Sequence, residues 1–175
     1  GHVDICYKGR IISFGNYDTN SERLFGAMGD GVLFSADREK YIEFCKRENH
    51  KTLLGYGLAL SPEQLAAVDK EIAKLMSLTV PWDPPKTVKP KRPGIDKEEP
   101  MYAYKLKQEA DGRLYKFTSS KFKTYFVMST NCVLLADTIV GAAGTDILSV
   151  RGFISPGTYQ DYLDKEFERP HSLVV

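Results

Sequence analysis

The sequence predicts an α+β fold with a mostly antiparallel sheet, and three observations support this prediction. Short stretches of alternating apolar residues are joined by tight turns, as in hairpins. Amphipathic stretches with clear helix start signals lie between them. The 175 residues are 42% hydrophobic and 27% charged, which is ordinary for a globular domain with its own core. We therefore expect one domain over residues 1–175.

The first third of the chain predicts three strands, a helix and one irregular strand. Residues 2–18 alternate around a turn at 8–10 and predict a hairpin. Residues 31–36 predict another short strand. Residues 37–49 predict a helix, because their apolar side chains recur at helical spacing. Residues 52–60 (TLLGYGLAL) are strand-like but interrupted by glycines.

A second helix and a proline-rich loop follow. Ser61 is a predicted N-cap, Pro62 suits the first helical position, and Gln64 completes a capping box. An apolar stripe then continues to about residue 77. Residues 80–100 hold six of the nine prolines, and we expect a long loop or linker there instead of a regular element.

The last part of the chain predicts a second hairpin, a strand and two helices. The hairpin spans residues 101–118 with its turn at 110–112, and the strand spans 123–128. A helix begins at Cys132 and ends at Gly141 or Gly144. Ser155 and Pro156 begin the final helix.

Composition and cysteine spacing exclude several classes of function. The net charge of +1 gives no bulk attraction to nucleic acid. No apolar run approaches the roughly 18 residues of a membrane span, and no signal peptide is seen. Cys6, Cys45 and Cys132 form neither a CxxC motif nor a disulfide framework. We expect no metal and no cofactor.

Cys132 is the first candidate for chemistry. It follows the predicted strand and the polar turn Ser129-Thr130-Asn131, at the start of an apolar helix. The N–H groups at a helix N-terminus favour a thiolate and can stabilise an oxyanion. A buried cysteine acting as a small hydrophobic residue is the structural alternative, and it is the reading we give Cys6 and Cys45.

His2 is the candidate base for this thiol. His50 lies at a charged helix end and His171 lies in the tail, so both are expected on the surface. His2 instead begins the first predicted strand, which could hold its imidazole rigidly. The alternative is that Gly1-His2 is left from a cleaved tag, although His2 is continuous with a good strand pattern.

Two segments resemble a known superfamily. GHVDICYKGRIISFGNYD at 1–18 is similar to the histidine strand and the following strand of NlpC-type papain-like proteins. STNCVLLADTIVGAAG resembles their nucleophile helix, and the later ISP segment is also similar. Because His2 precedes Cys132, the order is that of the circularly permuted branch, which includes lecithin:retinol acyltransferase-like proteins. The resemblance covers roughly residues 1–18 and 124–167.

The resemblance implies a papain-like fold and a catalytic set. An antiparallel sheet would pack against the helix that carries the nucleophile Cys132, and His2 would be the base. Ser13 stands where the family has His, Asn, Gln or Glu, and it offers only a hydroxyl group. Asn16 is the next candidate for this third role. Asp18, beside Asn16, and Asp4, on the same strand face as His2, are further candidates; turn formation is the structural alternative for Asn16 and Asp18.

The resemblance also implies a function. We expect a cysteine hydrolase that forms an acyl-enzyme and cleaves amide bonds in peptidoglycan peptides. A phospholipase or lipid acyltransferase of the same fold is the alternative, and a non-catalytic binding module is the second alternative. The resemblance further suggests an antibacterial type VI secretion effector, secreted or injected, that acts in the target-cell periplasm. Its partners would then be a cell-envelope substrate and an immunity protein.

Overall fold

The computed structural model describes residues 1–49, 52–89, 97–144 and 155–175. These residues form strands β1 (Ile5–Tyr7), β2 (Arg10–Gly15), β3 (Met28–Asp30), β4 (Val32–Asp37), β5 (Thr79–Pro81), β6 (Thr87–Val88), β7 (Glu99–Pro100), β8 (Arg113–Phe117) and β9 (Thr124–Phe126). Their helices are α1 (Arg38–Asn49), α2 (Pro62–Ser77), α3 (Tyr102–Glu109), α4 (Cys132–Gly141) and α5 (Pro156–Phe167). None of these helices is long and apolar enough to cross a membrane.

The central element is a five-stranded sheet in the order β1-β2-β4-β8-β5. Every neighbouring pair is antiparallel. Two smaller ladders, β3 with β9 and β6 with β7, lie outside this sheet. The predicted α+β class with antiparallel strands is therefore confirmed.

Helices cover both faces of the sheet because the strands carry apolar side chains on both sides. On one face, Phe34 and its alternate neighbours pack against α1 and α3. On the other face, Phe14 and Leu33 pack against α2 and α4. A third cluster joins α4 to α5, and it includes Cys132 and Tyr159. The helix α4 is thus held from two sides, which fixes the position of its first residue.

The predicted first hairpin is confirmed. Tyr7 pairs with Arg10, so the connection between β1 and β2 has two residues, Lys8 and Gly9. Both have positive φ, 47° and 74°, as a type I′ turn requires. This tight turn fixes the register that brings the residues before β1 alongside β2.

Three of the predicted helix starts are confirmed. The Ser61 hydroxyl accepts from the Gln64 N–H, and the Gln64 side chain accepts from the Ser61 N–H, which completes the capping box of α2. Asn131 caps α4 and Ser155 caps α5 through their side chains. Helix α1 also lies where its apolar spacing predicts it.

The prediction of a hairpin over 101–118 is wrong in its first half. Residues Tyr102–Glu109 form helix α3, and only Arg113–Phe117 form a strand. Ala103, Leu106 and Ala110 are all fully buried, and their spacing of three and four is helical. The apolar residues of this short stretch fit both the helical period and the alternation of a strand. Packing against the sheet favours the helix.

Two other segments also differ from their predictions. Residues 52–60 are not a strand: their ordered pairing is a single bridge from Leu58 to Val174. The proline-rich segment is more regular than a plain loop, because β5 forms a sheet edge and β6 pairs with β7. Trp82 packs against the core, as an anchor of that segment would. The predicted strand over 123–128 is shorter, Thr124–Phe126.

Candidate active site

Cys132 is the first residue of α4, and hydrogen bonds to the helix and to the preceding loop hold the turn before it in place. The Asn131 side chain accepts from the Leu134 N–H at 3.2 Å and donates to the Val127 carbonyl oxygen at 3.1 Å. The Phe126 N–H donates to the Thr130 carbonyl oxygen at 3.0 Å. The asparagine before the cysteine thus caps the helix and holds the preceding loop in place.

The thiol of Cys132 is buried but has polar neighbours. Only 3% of the residue is exposed. Burial raises the pKa of the Cys132 thiol, but hydrogen bonds from His2 and the Val3 backbone, with the charge of His2, outweigh this effect and lower the pKa below its ordinary value. The position at the helix N-terminus acts in the same direction. The lowered pKa therefore favours the thiolate form of Cys132.

The imidazole of His2 lies between this thiol and a group of polar side chains. Its Nε2 atom is 2.8 Å from Ser13 Oγ, 3.0 Å from Asp4 Oδ1 and 3.4 Å from the Tyr17 hydroxyl. The His2 side chain is 37% exposed. Burial lowers the pKa of His2, but Asp4 and Cys132 together outweigh it and hold the pKa well above its ordinary value.

Asp4 is the carboxylate of this group. Its Oδ2 atom accepts from the Tyr41 hydroxyl at 2.8 Å. Its Oδ1 atom faces His2 but meets no donor in hydrogen-bond geometry, so its attraction to the ring is mainly electrostatic. Burial raises the pKa of Asp4, but the charge of His2, the nearby polar groups of His2 and Ser13, and the hydrogen bond from Tyr41 lower it below its ordinary value. Asp4 is therefore ionised at neutral pH.

Ser13 and Tyr17 complete the cluster. Ser13 lies on β2 and is 1% exposed, and its Oγ atom is 2.6 Å from the Tyr17 hydroxyl. The Tyr17 ring packs on Phe34 and stacks on Tyr102 with an interplanar angle of 5°. Burial, with the charge of Asp4, raises the pKa of Tyr17, so its phenol stays protonated.

Asn16 and Asp18 have other contacts. The Asn16 amide donates to the Met28 carbonyl oxygen at 3.4 Å and lies over Gly29, where a Cβ atom would come within 2.0 Å of it. Asp18 accepts from the Asn20 N–H and pairs with Lys116 at 2.6 Å. Across the described ranges, the polar contacts of the His2 ring are with Asp4, Ser13, Tyr17 and Cys132. The structure does not bring Asn16 or Asp18 to the imidazole.

The other cysteines and histidines either lie away from this site or fall outside the residues that the structure describes. Cys45 is buried in the core with α1, as the structural interpretation expects. Cys6 is exposed on β1. His171 is exposed in the tail, whereas His50 lies outside the described residues.

Sequence reasoning missed Tyr17 and Tyr41. The helical spacing of residues 37–49 predicts Tyr41 on the apolar face of its helix, and its ring does pack in the core. Its hydroxyl reaches Asp4, which is distant in sequence, so no local pattern could have shown the contact. Tyr17 lies four residues after Ser13, just beyond the end of the strand, where no periodic pattern applies.

We compared the chain with protein-family models, with curated proteins and with solved structures, and none of the three comparisons found a match. The chemistry of the site is therefore argued from its own geometry. Among the described residues, no group of three His, Cys, Asp or Glu side chains could hold a metal ion. A thiol whose pKa is lowered by a neighbouring imidazole is suited to attack on an electrophilic carbonyl carbon.

Proposed function

We propose that this protein is a cysteine hydrolase that acts through an acyl-enzyme on Cys132. One observation carries the proposal: the thiol lies at the N-terminus of α4 beside His2, which lowers the pKa of the thiol, and Ser13 and Asp4 contact Nε2 of the same ring. A nucleophile, a base and a group that orients the base are the three parts that thiol catalysis needs.

The reaction begins from a thiolate on Cys132 and an imidazolium on His2, because the pKa of the thiol is lowered and that of the ring is raised. Since Nε2 faces Ser13 and Asp4, Nδ1 is the ring nitrogen that holds the proton given up by the thiol. The thiolate attacks the carbonyl carbon, and backbone N–H groups in the first turn of α4 stabilise the oxyanion. His2 then protonates the leaving group. Water, activated by the neutral imidazole, hydrolyses the thioester and regenerates the thiol.

Asp4 and Ser13 share the role of the third member. The Nε2 atom of His2 is within hydrogen-bond distance of Ser13 Oγ, at 2.8 Å, and lies 3.0 Å from Asp4 Oδ1, which carries the negative charge. Asp4, just before β1, would therefore supply what the serine hydroxyl lacks, a carboxylate that stabilises the imidazolium. Tyr41 holds Asp4 in place through a hydrogen bond of 2.8 Å.

Two kinds of bond fit this chemistry. The resemblance covers enzymes of both kinds, and the sequence shows no long apolar lid or amphipathic membrane helix, which favours amide bonds in peptidoglycan peptides. The resemblance also suggests a role as an injected antibacterial effector with an immunity partner. One observation in the structure favours the alternative, an ester of a membrane lipid: Val127 and Met128, in the loop just before Cys132, are 43% and 53% exposed. Apolar side chains in the loop that leads to the nucleophile suit acyl chains better than a charged peptide.

The test is digestion of whole bacterial envelope with the wild type, with Cys132→Ala and with Cys6→Ala as the matched control thiol. Mass spectrometry would follow muropeptides, fatty acids and lysolipids together. We expect products from the wild type and Cys6→Ala but not from Cys132→Ala. Peptide products would identify an amidase, and fatty acids a phospholipase. If the wild type released neither, the hydrolase proposal would fail and the binding-module alternative would take its place.

A further inference from the structure

A cavity of about 350 Å³ lies between the sheet and α2, and we call it the sheet–α2 cavity. Its inner wall is apolar and is formed by side chains from β2, β4, α2 and α4: Ile12, Leu33, Ile72, Leu75, Met76 and Ile139. Leu33, Leu75 and Ile139 are buried, and the other three are only partly covered by the rest of the chain. Small-molecule sites have volumes of roughly 300–1,000 Å³, so this cavity suits a ligand with a short apolar body.

The sheet–α2 cavity is separate from the candidate active site. None of Cys132, Asp4, Ser13 and Tyr17, which surround His2, lines it. Ile139 lines it from α4, about two turns after Cys132. A molecule in this cavity would therefore contact the helix of the nucleophile without occupying the place of its substrate.

Hydrogen-bond donors lie side by side on the sheet at the edge of the cavity. Ile12 pairs with Ser35, and Ser35 pairs with Arg113, so these three side chains share one face of the sheet. Arg10 lies two residues before Ile12 on the same face, and its Nε–H donates to Ser35 Oγ at 3.0 Å. Because the Ser35 oxygen accepts this bond, its own hydrogen is left to donate. Two guanidinium groups and a hydroxyl thus border the apolar wall.

The ion pairs at this edge leave one positive charge. The Lys8 Nζ donates to both carboxylate oxygens of Asp69 at 2.9 Å, so these two charges balance. Arg10 donates to the Asp111 carbonyl oxygen at 3.2 Å and lies 3.7 Å from its carboxylate. Arg113 is exposed, and none of the described acidic side chains forms an ion pair with it. The excess charge is therefore that of Arg113.

Asp37 does not change this balance. It is opposite Arg10 in the sheet register, but it does not line the cavity. Its Oδ1 atom accepts from the Lys40 N–H at 3.0 Å, in the first turn of α1. The N-terminus of a helix stabilises a carboxylate, so the charge of Asp37 is compensated there.

We propose that the sheet–α2 cavity binds a single-chain carboxylic acid of medium length, of the fatty acid type. The acyl chain fills the apolar part, and the carboxylate accepts from Arg113 and from the Ser35 hydroxyl. One unpaired positive charge matches the single negative charge of a carboxylate, whereas a phosphate monoester carries about −1.5 to −2 at pH 7. The site goes beyond the proposed hydrolase and does not need the thiol of Cys132.

The test is isothermal titration calorimetry of the full chain with decanoate. Decanol has the chain without the charge, acetate has the charge without the chain, and decyl phosphate has the other head group. We expect saturable binding of decanoate, binding of decanol weakened at least about tenfold, and no detectable binding of acetate. Decyl phosphate should bind no more tightly than decanoate.

Two substitutions place the ligand in the cavity. Arg113→Gln should weaken decanoate binding about tenfold, because it removes the unpaired charge. Its control is Arg169→Gln, at an exposed arginine at the end of α5, which should bind as the wild type does. Ile72→Trp should abolish binding by filling the cavity, whereas Leu65→Trp, on the same helix but outside the lining, should not. Circular dichroism would show that all variants are folded.

Four results would overturn this proposal: no saturable binding of decanoate, equal binding of decanol, tighter binding of decyl phosphate, or equal affinities in Ile72→Trp and Leu65→Trp. Cys132→Ala separates the site from the hydrolase. Unchanged decanoate binding in this variant supports a separate cavity, and loss of binding would place the ligand at the candidate active site instead. If decanoate binds but the wild type cleaves no ester, thioester or amide, the cavity site stands and the hydrolase is wrong.

Discussion

Cys45 and Cys132 are both buried cysteines on helices, yet their surroundings differ. Their exposed fractions are 4% and 3%. Cys45 lies within α1, and it packs in the core with Phe34 and Leu106. Cys132 begins α4, where backbone N–H groups have no helical partner and His2 is in contact. The two thiols are equally buried, so the lowered pKa of Cys132 comes from its surroundings, chiefly His2, together with its place at a helix terminus.

Replacing each cysteine by Ala should give the largest difference in kcat between the two positions. Cys132→Ala should lower kcat for the envelope substrate by about 10³-fold or more, because no other group can form the acyl-enzyme. Cys45→Ala should leave kcat near that of the wild type and lower the free energy of unfolding by roughly 1 kcal/mol, through a small cavity. Steady-state kinetics and urea unfolding would measure both. Equal activity of the two variants would contradict the assignment of Cys132.

Asp4→Asn should cause the next largest loss. The carboxylate stabilises the imidazolium of His2, so we expect kcat to fall by about 10²-fold or more, as for orienting carboxylates in other triads. The alkaline limb of the activity profile should also move to lower pH, because Asp4 raises the pKa of His2. The control is Asp69→Asn, at a solvent-exposed carboxylate that pairs with Lys8. This change should leave kcat and the pH profile nearly unchanged. An unchanged pH profile in Asp4→Asn would reject its role.

The pH dependence of alkylation should distinguish the two buried thiols. The pKa of Cys132 is lowered, so its thiolate should persist below the ordinary thiol pKa of about 8.5. The pKa of His2 is raised, so the rate of hydrolysis should fall only at pH values above the ordinary imidazole pKa of about 6.5. The rate should therefore show a broad bell-shaped dependence on pH. At pH 6, iodoacetamide should modify Cys132 at least about tenfold faster than Cys45. Peptide mass spectrometry would measure this, and equal rates would contradict a shifted thiol.

The smallest effect should come from Tyr41→Phe. This change removes the hydrogen bond to Asp4 and should cost about 1 kcal/mol of stability at neutral pH. Because the folded pKa of Asp4 lies below its unfolded value, Asp4 contributes stability above the unfolded pKa, and this contribution is lost as pH falls through the folded pKa. The difference between wild type and variant should therefore shrink in acid. Urea unfolding across this range would test it, with Tyr104→Phe as control.

Much of the local structure could be predicted because local rules decide it. The hairpin of β1 and β2, the capping box of α2 and the starts of α4 and α5 depend on residues within a few positions of one another. The same applies to Cys132 at a helix N-terminus. In contrast, α3 was predicted as a strand, since a short sequence satisfies both periods until a sheet face is available to pack against.

By itself, the sequence determined the antiparallel α+β class, the cysteine at the start of a capped helix and the histidine before the first strand. Only the tertiary structure decided which side chains surround that histidine. Asp4 meets Tyr41 across 37 positions, and the Val127 N–H donates to the Ala27 carbonyl oxygen, about a hundred residues away along the chain. The physical reason is that capping and turns are local interactions, whereas these contacts exist only after the sheet and its covering helices have packed.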